Sequence, residues 1–224
     1  MLTAGPVVFL LDVDNTLLDN DRFAADLTVR LEHDLGVAGC ERYWARFTEL
    51  RHQLGCADYL ATLQRLRTEL DDDQPLLAIS AFVLDYPFEQ LLYPRALDVI
   101  VHLGTLGLPV VLSDGDVVLQ PRKIHRAGIW SAVGGRVLVT LHKERELDAV
   151  QRRYPASRYV MVGDKPELLA AMKHSLGARL TTVFVRQGHY AAESAGRAVV
   201  PPPDHAVDRI GDLLHGDRSA QEAS

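Results

Sequence analysis

Leu10-Leu11-Asp12-Val13-Asp14-Asn15-Thr16-Leu17-Leu18 closes the first apolar run of the chain, Val7 to Leu11, and at once places two carboxylates in a D-x-D-x-T turn. A continuous apolar run of this length predicts a strand buried on both faces. Alternate carboxylates at the end of such a strand stand at the C-terminal edge of the sheet, where open α/β folds bind ligands. An isolated D-x-D is as readily a polar turn, so the weight of this one depends on its surroundings.

Working outward, four more short apolar runs read as strands: Val110 to Leu112, Val137 to Val139, Tyr159 to Val162 and Thr182 to Val185. Helix-period patterns separate most of them, at Ala96 to Leu106, Gln120 to Ala127, Glu144 to Arg153 and Pro166 to Leu176. Strands alternating with helices predict an α/β fold, a Rossmann-like parallel sheet flanked by helices. Residues 19–90 differ in texture, having no strand-like run. Phe23, Leu27, Leu31 and Leu35 precede Gly36, and Tyr43, Phe47, Leu50 and Leu54 precede Gly55. Leu60, Leu63, Arg67 and Leu70 mark a third helix, and Pro75 opens a fourth after Asp71-Asp72-Asp73. The reading is therefore a core of residues 1–18 and 91–214, an inserted all-helical domain at 19–90, and a flexible tail at 215–224. The apolar fourth helix, Leu76 to Leu84, is either core or a dimer contact, and the oligomeric state stays open.

The formal charge of the 224 residues is −6. Residues 19–90 hold seven arginines, no lysine and fourteen acids, a net −7, which leaves +1 for the rest of the chain. That balance disfavours binding to a nucleic-acid backbone. Cys40 and Cys56 are too few for a disulfide framework and lack zinc-site spacing, which fits a reducing compartment. No run approaches the roughly 20 apolar residues of a membrane span, and no basic region precedes Val7. A cytoplasmic protein without nucleic-acid or membrane partners is expected. Walker, nucleophile-elbow, H-E-x-x-H and dinucleotide-binding motifs are all missing.

Three further clusters sit at strand ends. Ser113-Asp114-Gly115 places a hydroxyl after the second apolar run, and the glycine would let backbone amides approach an anion closely. Lys143 precedes the helix beginning near Glu144, where a cation opposes the helix dipole unless an anion is bound. Lys123 is the alternative lysine. Gly163-Asp164 ends another strand with an acid. His142 and His189 read as surface or half-buried residues, and Arg46 and Arg51 as a solvated helix face.

D-x-D-x-T, Ser113, Lys143 and Asp164, in that order and each at a strand end, resemble the motifs of the haloacid dehalogenase-like superfamily, in its helical-cap type. The resemblance covers roughly residues 7 to 18 and 91 to 214. It implies that Asp12 is the nucleophile and Asp14 the acid and base, with Ser113, Asp114 and Lys143 binding phosphate. It further implies Mg²⁺ held by Asp12, Asp164 and the backbone carbonyl of Asp14, with Thr16 supporting the loop. Many members carry a second acid beside Asp164 or four to five residues later; here the nearest is Glu167, three residues on. The expected activity is a Mg²⁺-dependent phosphatase acting on a small phosphorylated metabolite through an aspartyl-phosphate. A phosphotransferase or phosphomutase, or a weakly catalytic phosphoryl-binding regulatory module, is the alternative. Asp14 disfavours a dehalogenase, which needs no proton donor there, and the lysine-free insert excludes Schiff-base phosphonatase chemistry.

Overall fold

A computed structural model describes residues 6–70, 72–194 and 196–215. Six strands form one parallel sheet: β1 (Val7–Leu11), β2 (Leu108–Asp114), β3 (Val137–Thr140), β4 (Arg158–Gly163), β5 (Leu180–Val185) and β6 (His205–Val207). Their spatial order is β3-β2-β1-β4-β5-β6. The chain leaves β1 in one direction to build β2 and β3 and in the other to build β4 to β6. β1 thus stands at the point where the strand order reverses, the crevice in which such sheets bind ligands. Leu11 pairs with Val111 on one side and Val162 on the other, which brings the ends of β1, β2 and β4 level.

The sheet is buried because its residues alternate between two apolar layers. Phe9, Leu11 and Val111 face a layer with Val99, Ile100 and Leu103 of α4 (Ala96–Leu106) and Ile124 of α5 (Leu119–Arg126). Val8, Leu10 and Leu112 face the other, with Leu147 and Val150 of α7 (Leu147–Arg153) and Leu169 and Met172 of α8 (Pro166–Leu176). The short α6 (Ile129–Ala132) precedes β3, and α9 (Gly188–Glu193) follows β5.

Between β1 and β2 the chain makes α1 (Asn20–Leu54), α2 (Tyr59–Arg67) and α3 (Gln74–Asp85). Asp19 and Asp58 cap the first two by accepting the backbone N–H of Arg22 and Ala61. The two helices expected on either side of Gly36 are one run broken there, with Gly36 at φ 71° and ψ 173°. α2 buries Tyr59, Thr62, Leu63 and Leu66, so its inner face is set by Leu66 rather than by the expected Arg67, which is exposed and paired with Asp73. Leu54 likewise points outward. α3 buries Leu76, Ile79 and Val83, a core stripe at helical spacing. The outgoing and returning passes are stitched together: Asp19 N–H donates to the Leu91 carbonyl and Tyr93 N–H to that of Leu17, at 2.8 and 2.9 Å. Among the described residues no helix is long and apolar enough to cross a membrane. Asp71, and residues 216–224 of the tail predicted to be flexible, lie outside the described residues.

β6 was not expected. It is three residues long and exposed along one edge, so it carries no apolar signature; it is held by Asp204, which accepts from Thr182 N, Thr182 Oγ1 and Lys173 Nζ at 2.8, 3.0 and 2.9 Å. Partial burial alone would raise the Asp204 carboxyl, but these donors hold it below its ordinary value. The stabilisation is therefore complete above that value and lost as the pH falls through the lowered one. Asp204→Asn is expected to cost about 1 kcal/mol at neutral pH, a small figure because a third of the side chain faces solvent. The difference between the two proteins in urea unfolding should vanish in acid below the ordinary aspartate range.

Candidate active site

The site begins where β1 ends. Asp12 is 4% exposed, its N–H donates to the Val162 carbonyl at 3.0 Å, and its Oδ1 accepts the Val13 N–H at 2.8 Å. The backbone is thus tied to β4 and the side chain to its own turn. Lys143 Nζ lies 2.5 Å from Asp12 Oδ2, with the lysine fully buried. Burial alone would push the Lys143 ammonium down; Asp12, Asp114 and Asp164 together raise it instead. Lys143 stands in a single 3₁₀ turn, Lys143–Arg145, ahead of α7 rather than at that helix's start. It is positioned by Asp114, whose Oδ1 accepts the Lys143 backbone N–H and the Thr140 hydroxyl, both at 2.8 Å. The Asp114 carboxylate is thus committed to the β3 loop.

Ser113 Oγ lies 3.5 Å from Asp12 Oδ1 and accepts from Gln120 Nε2 at 2.9 Å. Gln120 also reaches Asp14 Oδ2 at 3.4 Å. One turn further along α5, Lys123 Nζ donates to Asp14 Oδ1 at 2.7 Å and to Asn20 Oδ1 at 2.9 Å. Asn20 in turn donates to the Tyr59 hydroxyl at 3.2 Å. The two lysines weighed against each other in the sequence are therefore both at the site, one on each carboxylate of the D-x-D pair. Both are 1% exposed, a burial that lysine tolerates only when paired. Gln120, Asn20 and Tyr59 were not anticipated; the available signal was the i, i+3 spacing of Gln120 and Lys123, which puts both on one helix face.

Gly115 has a different use from the one expected. Its own N–H donates to the Thr140 carbonyl at 3.0 Å, and a Cβ there would meet Gln120 Cβ and Cγ at 2.7 Å. The glycine makes room for Gln120. Asn15 adopts φ 56°, a conformation Asn tolerates better than most residues. Its Oδ1 accepts the N–H groups of Asn20 and Asp21, tying the D-x-D turn to the first turn of α1. Thr16 closes that turn through its N–H on the Val13 carbonyl, at 3.2 Å.

Asp164 follows β4 directly. It has no exposed surface, and neither of its carboxylate oxygens has a hydrogen-bond partner among the described residues. Burial first, and the nearby Asp12 carboxylate second, push its carboxyl up to about 7. An ionised carboxylate in that position feels the charges of Lys143 and Lys165 but has no hydrogen-bond donor among the described residues, and hard oxygen donors of this kind suit a divalent cation such as Mg²⁺. Next to it stands Lys165, and Glu167 is exposed in the first turn of α8.

A cavity of about 500 Å³ opens above Asp14, between the sheet edge and α1. His189, expected to be a bland surface or half-buried residue, lines it, with Nδ1 2.5 Å from Asp21 Oδ1. Arg51 also lines it, donating to the Tyr190 hydroxyl, whereas Arg46 pairs with Glu49 and Glu69 away from the cleft.

A carboxylate, a buried lysine and a hydroxyl, gathered at three adjacent strand ends, mark the candidate active site of an α/β protein. A family model for haloacid dehalogenase-like hydrolases matches residues 7–175. The chain belongs to that family. It is 53% identical, with a TM-score of 0.89, to the crystal structure of a protein assigned as a haloacid dehalogenase-like hydrolase from Burkholderia xenovorans, over 96% of this chain and 97% of that one. The HAD-hydrolase YfnB of Bacillus subtilis, bound to magnesium, shares the fold at 18% identity and a TM-score of 0.61, with 94% and 97% covered. The L-2-haloacid dehalogenase of Xanthobacter autotrophicus shares it at 16% and 0.59, with 97% and 99% covered. No curated protein sequence matches the chain.

Two outcomes follow from this geometry. Gly115→Ala should displace Gln120 and loosen both Ser113 and Asp14, lowering kcat about tenfold or more while the far-UV circular dichroism spectrum is retained. Asp164→Asn removes an unpaired buried charge beside Asp12, so without divalent metal the variant should melt about 2–4 °C above the wild type, and added Mg²⁺ should no longer raise its melting temperature.

Proposed function

We propose that this hydrolase is a Mg²⁺-dependent phosphomonoesterase acting on a small phosphorylated metabolite. The observation that carries the reading is Asp14: a carboxylate two residues after Asp12, held in place by Lys123 and Gln120 and facing the cavity. Displacement of a halide from carbon needs no proton donor there, whereas departure of an ester oxygen from phosphorus does. The dehalogenases among the structural neighbours share the fold at low identity and leave that distinction standing.

In this reading an Asp12 oxygen attacks phosphorus while the bond to the ester oxygen breaks, and Asp14 gives that oxygen its proton. Asp14 then takes a proton from water as the water attacks the aspartyl-phosphate, releasing phosphate and restoring Asp12. Lys143 offsets the charge of Asp12, and the Ser113 hydroxyl orients the phosphoryl oxygens. The carboxylates of Asp12 and Asp164 and the backbone carbonyl of Asp14 would hold Mg²⁺, which would supply charge compensation for the phosphoryl transfer. Gly163 precedes Asp164 and the nearest later acid is the exposed Glu167, so Asp12 and Asp164 would be the two carboxylates on the metal. The helices of residues 19–90 act as the cap that covers the cleft and selects the substrate. Residues 1–18 and 91–214 act as the core.

Phosphate release from a panel of phosphomonoesters, with Mg²⁺ and with EDTA, tests the reading. Wild-type release should require Mg²⁺; Asp12→Asn should abolish it, and Asp14→Asn should lower it about 10²- to 10⁴-fold. Release that survives in Asp12→Asn, or none from any phosphomonoester, would refute it.

A further inference from the structure

The cleft holds charges that the reaction does not use. Its carboxylates are all engaged: Asp14 by Lys123, Asp114 by Thr140 and the Lys143 N–H, and Asp21 by the backbone and ring of His189. Its two remaining cations are not. Neither Arg51 nor Lys165 has a carboxylate within ion-pairing distance among the described residues. Instead both converge on one aromatic ring: Arg51 donates to the Tyr190 hydroxyl and its guanidinium carbon lies 5.6 Å from the ring centroid, and Lys165 Nζ lies 4.4 Å from it. Arg51 comes from the last turn of α1, and Lys165 and Tyr190 from the ends of β4 and the start of α9. A helix C-terminus favours a cation in any protein, but that alone would leave Arg51 free in solvent rather than turned onto a residue 139 positions away. An aromatic face is a weak partner for a cation and is readily exchanged for an anion.

Part of the cavity lining is apolar and aromatic, beside the polar Asn15, Asn20, Asp21 and His189. Trp44 and Phe47 pack edge to face at 5.2 Å, and Phe47 lies 4.8 Å from Tyr59. The only donor of Trp44, its indole N–H, is already given to Thr28 Oγ1 at 3.1 Å. Ala24 and Ala57 keep the space beside them open. Such a wall binds carbon surface and offers few polar contacts.

We infer that Arg51 and Lys165, set around Tyr190, form a distal anion site, and that the substrate is a phosphomonoester whose carbon body lies along Trp44 and Phe47 and ends in a second anionic group. This deepens the phosphatase reading and rests on it. The distal anion replaces the aromatic ring as partner of both cations, and because they come from the helical segment and the sheet edge, it joins the two across the cleft.

The test uses matched phosphoesters: 4-carboxyphenyl and 4-(2-carboxyethyl)phenyl phosphate, each beside its carboxamide. They are compared in wild type, Arg51→Gln, Lys165→Gln and the double variant. Differences between leaving groups are the same in every protein and cancel when the acid-to-amide ratio of kcat/KM is compared between proteins. For at least one pair that ratio should be about tenfold higher or more in the wild type than in the double variant, mostly through KM. Equal ratios for both pairs would overturn the inference while leaving a phosphatase. If none of the four esters is hydrolysed, the phosphatase reading is decided by the wider phosphomonoester panel, and the anion site is judged by binding alone, from Trp44 fluorescence in a Trp130→Phe background. Tighter binding of an acid than of its amide, lost in the double variant, would then support the site; equal affinity or no binding would overturn it.

Discussion

Like charges crowded at one strand end are the constraint on which the structure turns. Asp12 and Asp164 are buried side by side, and Asp114 lies near enough to add its field. A fold of marginal stability tolerates this only with opposing charge in the same dry space. Two fully buried lysines provide part of it, each on a different carboxylate, and the hydroxyl, carboxamide and backbone donors around them provide more. Asp164 alone keeps no donor, and the resulting deficit is where an incoming cation gains most. Stability is given up locally, on the rigid sheet edge that the two apolar layers hold in place.

That arrangement explains why the site draws on so many elements. A carboxylate pair two residues apart could be made by any turn, but opposing it requires groups from β2, β3, β4 and α5 at fixed distances, and parallel strands in register deliver them. The helices of residues 19–90 then contribute through Asn20, which shares Lys123 with Asp14. The lysine serves the chemistry-bearing loop and the helical segment at once, so the position of α1 is felt at the carboxylate.

Much of this was legible in the sequence. β1, α4 and α8 fall on the residues that periodicity marks, because each has a clear stop: the Asp12 turn, Gly107 and Gly177. The sheet as a class followed from apolar runs too short for helices and too continuous for half-exposed strands. β6 escaped because an edge strand of three residues buries almost nothing, and the inner face of α2 was misplaced by one position because an arginine stem and a leucine are alike in pattern. At the site, the residues carried by the family resemblance were visible one by one. Their supports were not. Gln120 and Asn20 are ordinary residues on helical faces until the fold brings them to the D-x-D pair, and Arg51 reads as solvated until Tyr190 is placed opposite it.

Asn15 has a neighbour whose effect reaches beyond the turn. Gly188, at φ 71°, packs so closely that a Cβ on it would stand 2.5 Å from Asn15 Cβ and Cγ. Asn15 is also the residue whose carboxamide starts α1. Positions 15 and 188, 173 apart in the chain, therefore behave as a single steric unit. A side chain at 188 would expel the carboxamide from its place and strip the Asn20 and Asp21 N–H groups of their acceptor, and a larger residue at 15 would lift the start of α9. Bulk at either position is confined by the other, so a side chain at 188 fits only beside a smaller residue at 15.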